Sequence, residues 1–216
     1  MTVRVLCLCI GYLFGLLQTS YIYGKMHGID IRQHGSGNAG TTNMLRTMGT
    51  KAGIITFLFD FLKCFLAVMA VRLIFKNQYS QILPLLSVYA GAGVVLGHNY
   101  PFYLNFKGGK GIAATAGLIV SLGWQMTLLA IVTFFGTTLL THLVSLGSLL
   151  LYAGFMIEVV IFGQMGMFGM EQAHLNEMYV VVVALTVLAF WKHRANLVRL
   201  VRGEERKTYL FKKNRS

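Results

Sequence analysis

The distribution of apolar residues constrains this chain before any motif is considered. Apolar blocks run roughly over 3–24, 53–75, 82–97, 112–123, 125–141, 146–163 and 178–191, parted by short polar connections. A helix needs about 20 mostly apolar residues to cross a bilayer, where lipid offers no partner to backbone N–H and C=O groups. The pattern predicts an all-α integral membrane protein of seven transmembrane helices. It forms one domain, 1–216, ending in a basic tail over about 206–216. Only 12% of the residues are charged, where a soluble domain carries about 25%. Block 112–123 is too short to cross unless its helix starts in the glycine-rich turn at 108–111. The break at 141–147, THLVSLG, is the other weak boundary, and without it the count falls to six.

Net charge is +12, and its placement sets the topology. Lys25, Arg32, Arg46 and Lys51 fall in the first connection, and Lys107 and Lys110 in the third. Lys192, Arg194, Arg199, Arg202, Arg206, Lys207, Lys212, Lys213 and Arg215 follow the last block. With seven spans these regions share one side, which the positive-inside rule assigns to the cytoplasm. The N-terminus is then outside and the C-terminus inside. Charge concentrated at membrane edges, with no aromatic-and-basic module beside it, argues against nucleic acid as partner and for anionic ligands or lipid headgroups. The N-terminal block has no A-x-A-like cleavage site and is expected to remain as the first span. Cys7, Cys9 and Cys64 lie in apolar runs without CxxC spacing, so they read as packing or lipid-facing residues. Asp60 and Lys63, three apart within a span, are expected to pair and face protein, since isolated charges in lipid are costly. Glu158 has no local partner.

Three polar clusters land on the predicted cytoplasmic face. The first, GSGNAGTTNMLR, contains Gly35, Gly37 and Gly40 in G-x-G-x-x-G spacing, but no strand or βαβ unit surrounds it, so a dinucleotide site is excluded. Its glycines still let backbone N–H groups approach an anion, with the following helix N-terminus adding positive charge. Ser36, Asn38 and Thr41 supply donors. Asn43 and Arg46 share a helix face, and Arg46 suits bidentate phosphate binding. The second cluster, GHNYPFYLNFKGGKG, places Lys107 and Lys110 around Gly108, Gly109 and Gly111. It is not a Walker A loop, since Leu104 and Gly111 stand where Gly and Ser/Thr belong. His98 and Tyr100 are expected to line it. In the third, KHRANLVRLVRGEE, His193 and Asn196 share one helix face with Arg199 beside them. The bland alternatives are a glycine-rich interfacial loop, a positive-inside anchor and a juxtamembrane basic helix on acidic lipid. No H-E-x-x-H pattern supports a metal site and no G-x-S-x-G elbow is present.

Taken in order, the clusters resemble the bacterial acyl-phosphate:glycerol-3-phosphate acyltransferase family, whose motifs look like GSxNxGxTNxxR, GHxxPxxxxFKGGKG and HxxNxxRLxxGxE. The corresponding residues are Gly35 to Asn43 with Arg46, then Gly97-His98, Pro101 and Phe106 to Gly111, then His193, Asn196, Arg199-Leu200, Gly203 and Glu204. Ala39 stands where many members carry proline. The resemblance implies an enzyme of the bacterial cytoplasmic (inner) membrane with its active site facing the cytoplasm. It implies acyl phosphate and sn-glycerol 3-phosphate as substrates, lysophosphatidic acid and phosphate as products, and no metal or organic cofactor. It implies that Ser36, Arg46, Lys110, His193 and Asn196 contact the substrates. Gly37, Asn38, Gly40, Asn43, His98, Lys107, Gly108, Gly109, Gly111, Arg199 and Glu204 are expected to complete the binding site.

For the hydroxyl proton, the acyl phosphate's own oxygen is the favoured base and His193 the competing one. Ser36 as a covalent nucleophile has no base near it in sequence. The rival reading from another class is a transporter or channel for phosphate or organic anions, which predicts polar residues on both faces and often a repeat. The basic tail is open to contact with headgroups or with the enzyme that makes the donor.

Overall fold

The computed structural model describes residues 1–209, so Lys212, Lys213 and Arg215 of the basic tail lie outside the described residues. Every regular element among the described residues is helical. The first apolar block forms α1 (Thr2–Gly15) and α2 (Thr19–Met26), broken at residues 16–18. There follow α3 (Thr41–Met48), α4 (Thr50–Phe75), α5 (Leu83–Asn99), α6 (Ile112–Leu122), α7 (Trp124–Thr141), α8 (Val144–Gln164), α9 (Gln172–Lys192) and α10 (Arg194–Val201).

Among the described residues, six segments are long and apolar enough to cross a membrane: Thr2–Met26, Thr50–Phe75, Ser80–Leu104, Trp124–Thr141, Val144–Gln164 and Gln172–Lys192. The fourth apolar block departs from expectation. Its helix does not begin in the glycine-rich turn, because Gly111 takes a left-handed φ of +83° that ends the loop and lets α6 start only at Ile112. The resulting 11 residues make about 16 Å of helix, near half the bilayer core. The doubtful break near 141–147 is real: His142 sits at φ +61°, and α7 and α8 pack side by side across it.

α5 is the centre of the bundle, packed by α1, α4, α6 and α9. Its closest neighbour is α1, and the approach is made by glycines. Gly11 and Gly15 on α1 face Gly93 and Gly97 on α5, each pair in G-x-x-x-G spacing. A methyl group on Gly97 would sit 2.3 Å from the Tyr12 carbonyl oxygen, and one on Gly93 2.1 Å from that of Leu8. In lipid, where apolar burial drives little association, such backbone contact is what holds helices together. Asp60 and Lys63 pair at 2.8 Å, as expected. Glu158 Oε2 is buried with no partner among the described residues.

Candidate active site

The first cluster is a turn knitted from within. Asn43, 1% exposed, donates from Nδ2 to the Ile31 and His34 carbonyls at 3.2 and 3.0 Å, and its Oδ1 accepts the Ser36 N–H at 2.9 Å. Its amide is taken up in shaping the loop. Gly35 is required there, since a methyl group would lie 2.2 Å from Asn43 Oδ1. The bracing leaves Ser36 and Gly37 exposed, with Asn38 half-buried beside buried Gly40. Gly40 caps α3, and Thr41 in its first turn has a buried Oγ1 with no partner. Arg32, held by Asp30 at 2.7 Å, reaches across to the Leu104 carbonyl at 3.3 Å and ties this turn to the second cluster.

In the second cluster, Gly109 and Gly108 donate N–H to the carbonyls of His98 and Asn99 at 3.1 and 3.2 Å, folding the loop back on the end of α5. A methyl group on Gly108 would lie 2.0 Å from the His98 carbonyl oxygen. His98 does not line the loop's open side, as expected from sequence; it is buried behind it, with Lys63 on its Nδ1 at 2.9 Å. The Asn99 side chain is wholly buried, with neither amide atom partnered among the described residues, close to Gly111. Lys107 is exposed. Lys110 turns inward and donates to Asn196 Oδ1, joining the second and third clusters.

The third cluster contributes a buried His193, whose Nδ1–H donates to the Ala189 carbonyl at 2.8 Å. Burial first, then the charge on Lys110, brings its pKa down to about 4, so at neutral pH the ring is uncharged with a free lone pair on Nε2. Asn196 accepts from Lys110 and donates from Nδ2 to Glu205 Oε1 at 2.7 Å, while Arg199 Nε donates to Glu205 Oε2 at 2.8 Å. Glu204, the acidic residue expected here, is exposed and stays out of the cluster. Glu205, with its side chain only 4% exposed, takes the place. The signal was present in the motif, because counting G-x-E from Gly203 arrives at Glu205.

The segment after α10 crosses over the site as a strap, which sequence reasoning missed and for which the sequence carries no pattern. Arg46 donates to the Arg206 carbonyl at 2.9 Å and to Thr208 Oγ1, and the Thr208 N–H reaches the His142 carbonyl at 2.8 Å. Around Lys110 the charged neighbours are Arg46, Lys192, Arg199 and the lone carboxylate Glu205. Burial brings Lys110 down to about 8, with Glu205 opposing the shift and the cations adding to it. Burial also lowers Arg46, although a guanidinium stays charged at any working pH. Cations thus outnumber anions around the half-buried Lys110, where charge counts for more than in water.

Comparison with known proteins agrees with this geometry. A family model described as glycerol-3-phosphate acyltransferase matches residues 5–203. Curated proteins of that description are similar along nearly their whole length. That of Crocosphaera subtropica is 37% identical, covering 94% of this chain and 93% of its own. That of Clostridioides difficile is 38% identical, covering 92% of each chain. The crystal structure of PlsY (YgiH), an integral membrane glycerol 3-phosphate acyltransferase, in its glycerol 3-phosphate form superposes with a TM-score of 0.82 at 28% identity, over 97% of this chain and 99% of that one. Its lysophosphatidic acid form gives 0.78, also at 28% identity, over 96% of each chain.

Proposed function

Because the chain belongs to the glycerol-3-phosphate acyltransferase family, we propose that it moves a long-chain acyl group from an acyl phosphate to the 1-hydroxyl of sn-glycerol 3-phosphate, giving lysophosphatidic acid and inorganic phosphate in the first acylation of phospholipid synthesis. The single observation that carries the reading is the cation excess around Lys110, with Arg46, Lys192 and Arg199 against Glu205 alone. Two phosphate-bearing substrates repel each other, and such a pocket offsets that repulsion. The solved relative was captured in glycerol 3-phosphate and lysophosphatidic acid forms, which supports the acceptor and the product. The family motifs support acyl phosphate as donor. So does the absence of an Asp five residues after any histidine, the pair that acyl-CoA-type glycerolipid acyltransferases carry.

In the proposed step the glycerol oxygen attacks the acyl carbonyl. A C–O ester bond forms, the mixed-anhydride C–O bond breaks, and phosphate leaves with the bond pair. The hydroxyl proton ends on phosphate, whose second pKa is about 6, rather than on His193 at about 4. His193 Nε2 then orients the hydroxyl, and the acyl phosphate oxygen is the base. Lys110, Arg46 and the glycine N–H groups hold the phosphates, with Ser36 and Asn38 as donors at the rim and Asn196 fixing Lys110. The carbonyl is already activated, so positioning supplies much of the rate. The reaction as written draws on no cofactor.

The topology we propose has seven crossings, N-terminus outside and site facing the cytoplasm of the bacterial inner membrane. Contacts supply a parity argument. Arg46 meets Thr208, and Lys110 meets Asn196, so the chain must cross an even number of times between 110 and 196. Taking α7, α8 and α9 as three crossings, we assign the fourth to short α6. The positive-inside distribution then assigns this side to the cytoplasm.

The test is to give the detergent-purified chain palmitoyl phosphate and glycerol 3-phosphate and assay free phosphate and lysophosphatidic acid together. Stoichiometric release is expected; equal transfer from palmitoyl-CoA would refute the donor. His193→Gln, which hydrogen-bonds but cannot titrate, is expected to slow turnover without removing the acidic limb of the pH–rate profile. Loss of that limb would make His193 the base.

A further inference from the structure

At the break between α1 and α2, within the span, charged and titratable side chains are packed away from solvent. Lys63 and Asp60 on α4 and His98 on α5 have side chains 3%, 2% and 4% exposed. The Lys63 ammonium lies 2.6 Å from the Leu17 carbonyl oxygen, 2.8 Å from Asp60 Oδ1 and 2.9 Å from His98 Nδ1. An ammonium has three donors and no acceptor, so each group this close accepts from it; the Gly15 carbonyl, at 3.5 Å, is a fourth and more distant acceptor. His98 Nδ1 is therefore the accepting nitrogen, and the neutral ring carries its proton on Nε2. Asp60 and His98 approach only to 3.7 Å, beyond hydrogen-bond range, so Lys63 stands between them. Thr19 Oγ1 donates to the same Asp60 oxygen at 3.3 Å, and buried Gln18 donates to the His98 carbonyl at 3.0 Å. The interrupted first span thus holds the His98 backbone directly, through Gln18, and its side chain only by way of Lys63.

The other edge of the imidazole meets the glycine-rich loop. A methyl group on Gly109 would sit 2.1 Å from His98 Nε2 and 2.7 Å from the Ala39 carbonyl oxygen. Gly109 is therefore packed closely against both Nε2 and the Ala39 carbonyl, and its N–H returns to the His98 carbonyl at 3.1 Å. A buried ion pair is costly in lipid, and apolar side chains filling the same volume are often as stable or more so. The pair calls for a role other than stability.

We propose that Asp60 and Lys63 are positioning residues for the reaction: they hold His98 as a neutral imidazole protonated on Nε2, and His98 holds Gly108 and Gly109 against the Ala39 turn, so that the loop bearing Lys107 and Lys110 keeps the shape that receives glycerol phosphate. The inference rests on the acyltransferase reading above. Without Lys63 the ring proton moves to Nδ1, toward Asp60. The N–H that faced Gly109 is then lost from Nε2, and the loop packed against it shifts.

Nitrogen-15 spectra of the histidines in the full-length, detergent-solubilised protein are expected to show His98 protonated on Nε2 and bare on Nδ1; a proton on Nδ1 overturns the proposal. The double variant Asp60→Asn/Lys63→Met removes both charges together and leaves neither orphaned. It is expected to raise KM for glycerol 3-phosphate at least about ten-fold with kcat changed less, and to speed amide exchange at Gly108 and Gly109 by a similar factor. An unchanged KM overturns the proposal whatever the amides do. Lys63→Gln keeps an N–H donor for Nδ1 without charge and is expected to retain the tautomer and a near-native KM. Behaviour like that of the Met variant would overturn the role of the donor, and this single substitution decides the matter should the double variant not fold. If the unaltered protein turns over no acyl donor at all, the acyltransferase reading fails instead, and the tautomer and amide exchange judge the relay alone.

Discussion

Lys110 offers a prediction in which activity and stability move in opposite directions with pH. Its side chain is drawn into the site against Asn196, and burial brings its pKa from 10.5 to about 8. At that value about nine-tenths of the molecules carry the charge at pH 7 and about one-tenth at pH 9, so kcat/KM for glycerol 3-phosphate falls about ten-fold over the interval. The substrate phosphate, with a second pKa of about 6, is already a dianion there and adds no alkaline limb. Stability behaves otherwise. The unfolded chain keeps this proton up to about pH 10.5, whereas the native state sheds it near 8, so between the two the unfolded state binds more protons and stability rises with pH. The rise is on the order of 1–3 kcal/mol once partial solvent screening is allowed for. Initial rates of phosphate release at sub-saturating acceptor, from about pH 6 to 10, would be measured beside thermal unfolding in detergent, each against Lys110→Arg and Lys110→Met. The arginine variant cannot lose its charge and is expected to lack the alkaline limb; the methionine variant is expected to lose the pH-dependent gain in melting temperature. A flat wild-type profile through pH 9, or an alkaline limb that survives in the arginine variant, would refute the reasoning.

Glu205 is the carboxylate that raises Lys110 against the pull of burial, so Glu205→Gln is expected to move the alkaline limb toward neutral pH by up to about one unit, read in the same rate profiles. Asn43→Ala removes three hydrogen bonds from the first turn; a loss of about 2–4 kcal/mol locally is expected, seen as lower melting temperature and a fall in kcat. Thr208→Val removes the hydroxyl that accepts from Arg46 and leaves the strap held by the Arg206 carbonyl; KM for the phosphate substrates is expected to fall a few-fold, and an unchanged KM would mean that the Thr208 contact does not restrain Arg46. Gly97→Leu drives a side chain into the Tyr12 carbonyl and is expected to separate α1 from α5, abolishing a cooperative melt.

Much of this protein was legible in its residue order. Runs of apolar residues dictate helices because lipid satisfies no backbone groups, and clustered lysines and arginines mark one face. The glycine-rich and basic motifs could be picked out because their composition is local. The pairing of Asp60 with Lys63 followed from the spacing of three. Tertiary structure alone decided which of these groups touch. Asn43 and His98 sit within the motifs, yet each spends its polar atoms on holding a loop rather than facing the site, a choice made by burial that no spacing encodes. Glu205 displaced Glu204 because only one of two adjacent carboxylates can turn toward Asn196 and Arg199 as the chain leaves α10. The strap on Arg46 and the meeting of Lys63 with His98 depend on contacts between segments far apart in the chain. Sequence lists the charges; the energy of each depends on distance and burial, which exist only once the helices have packed.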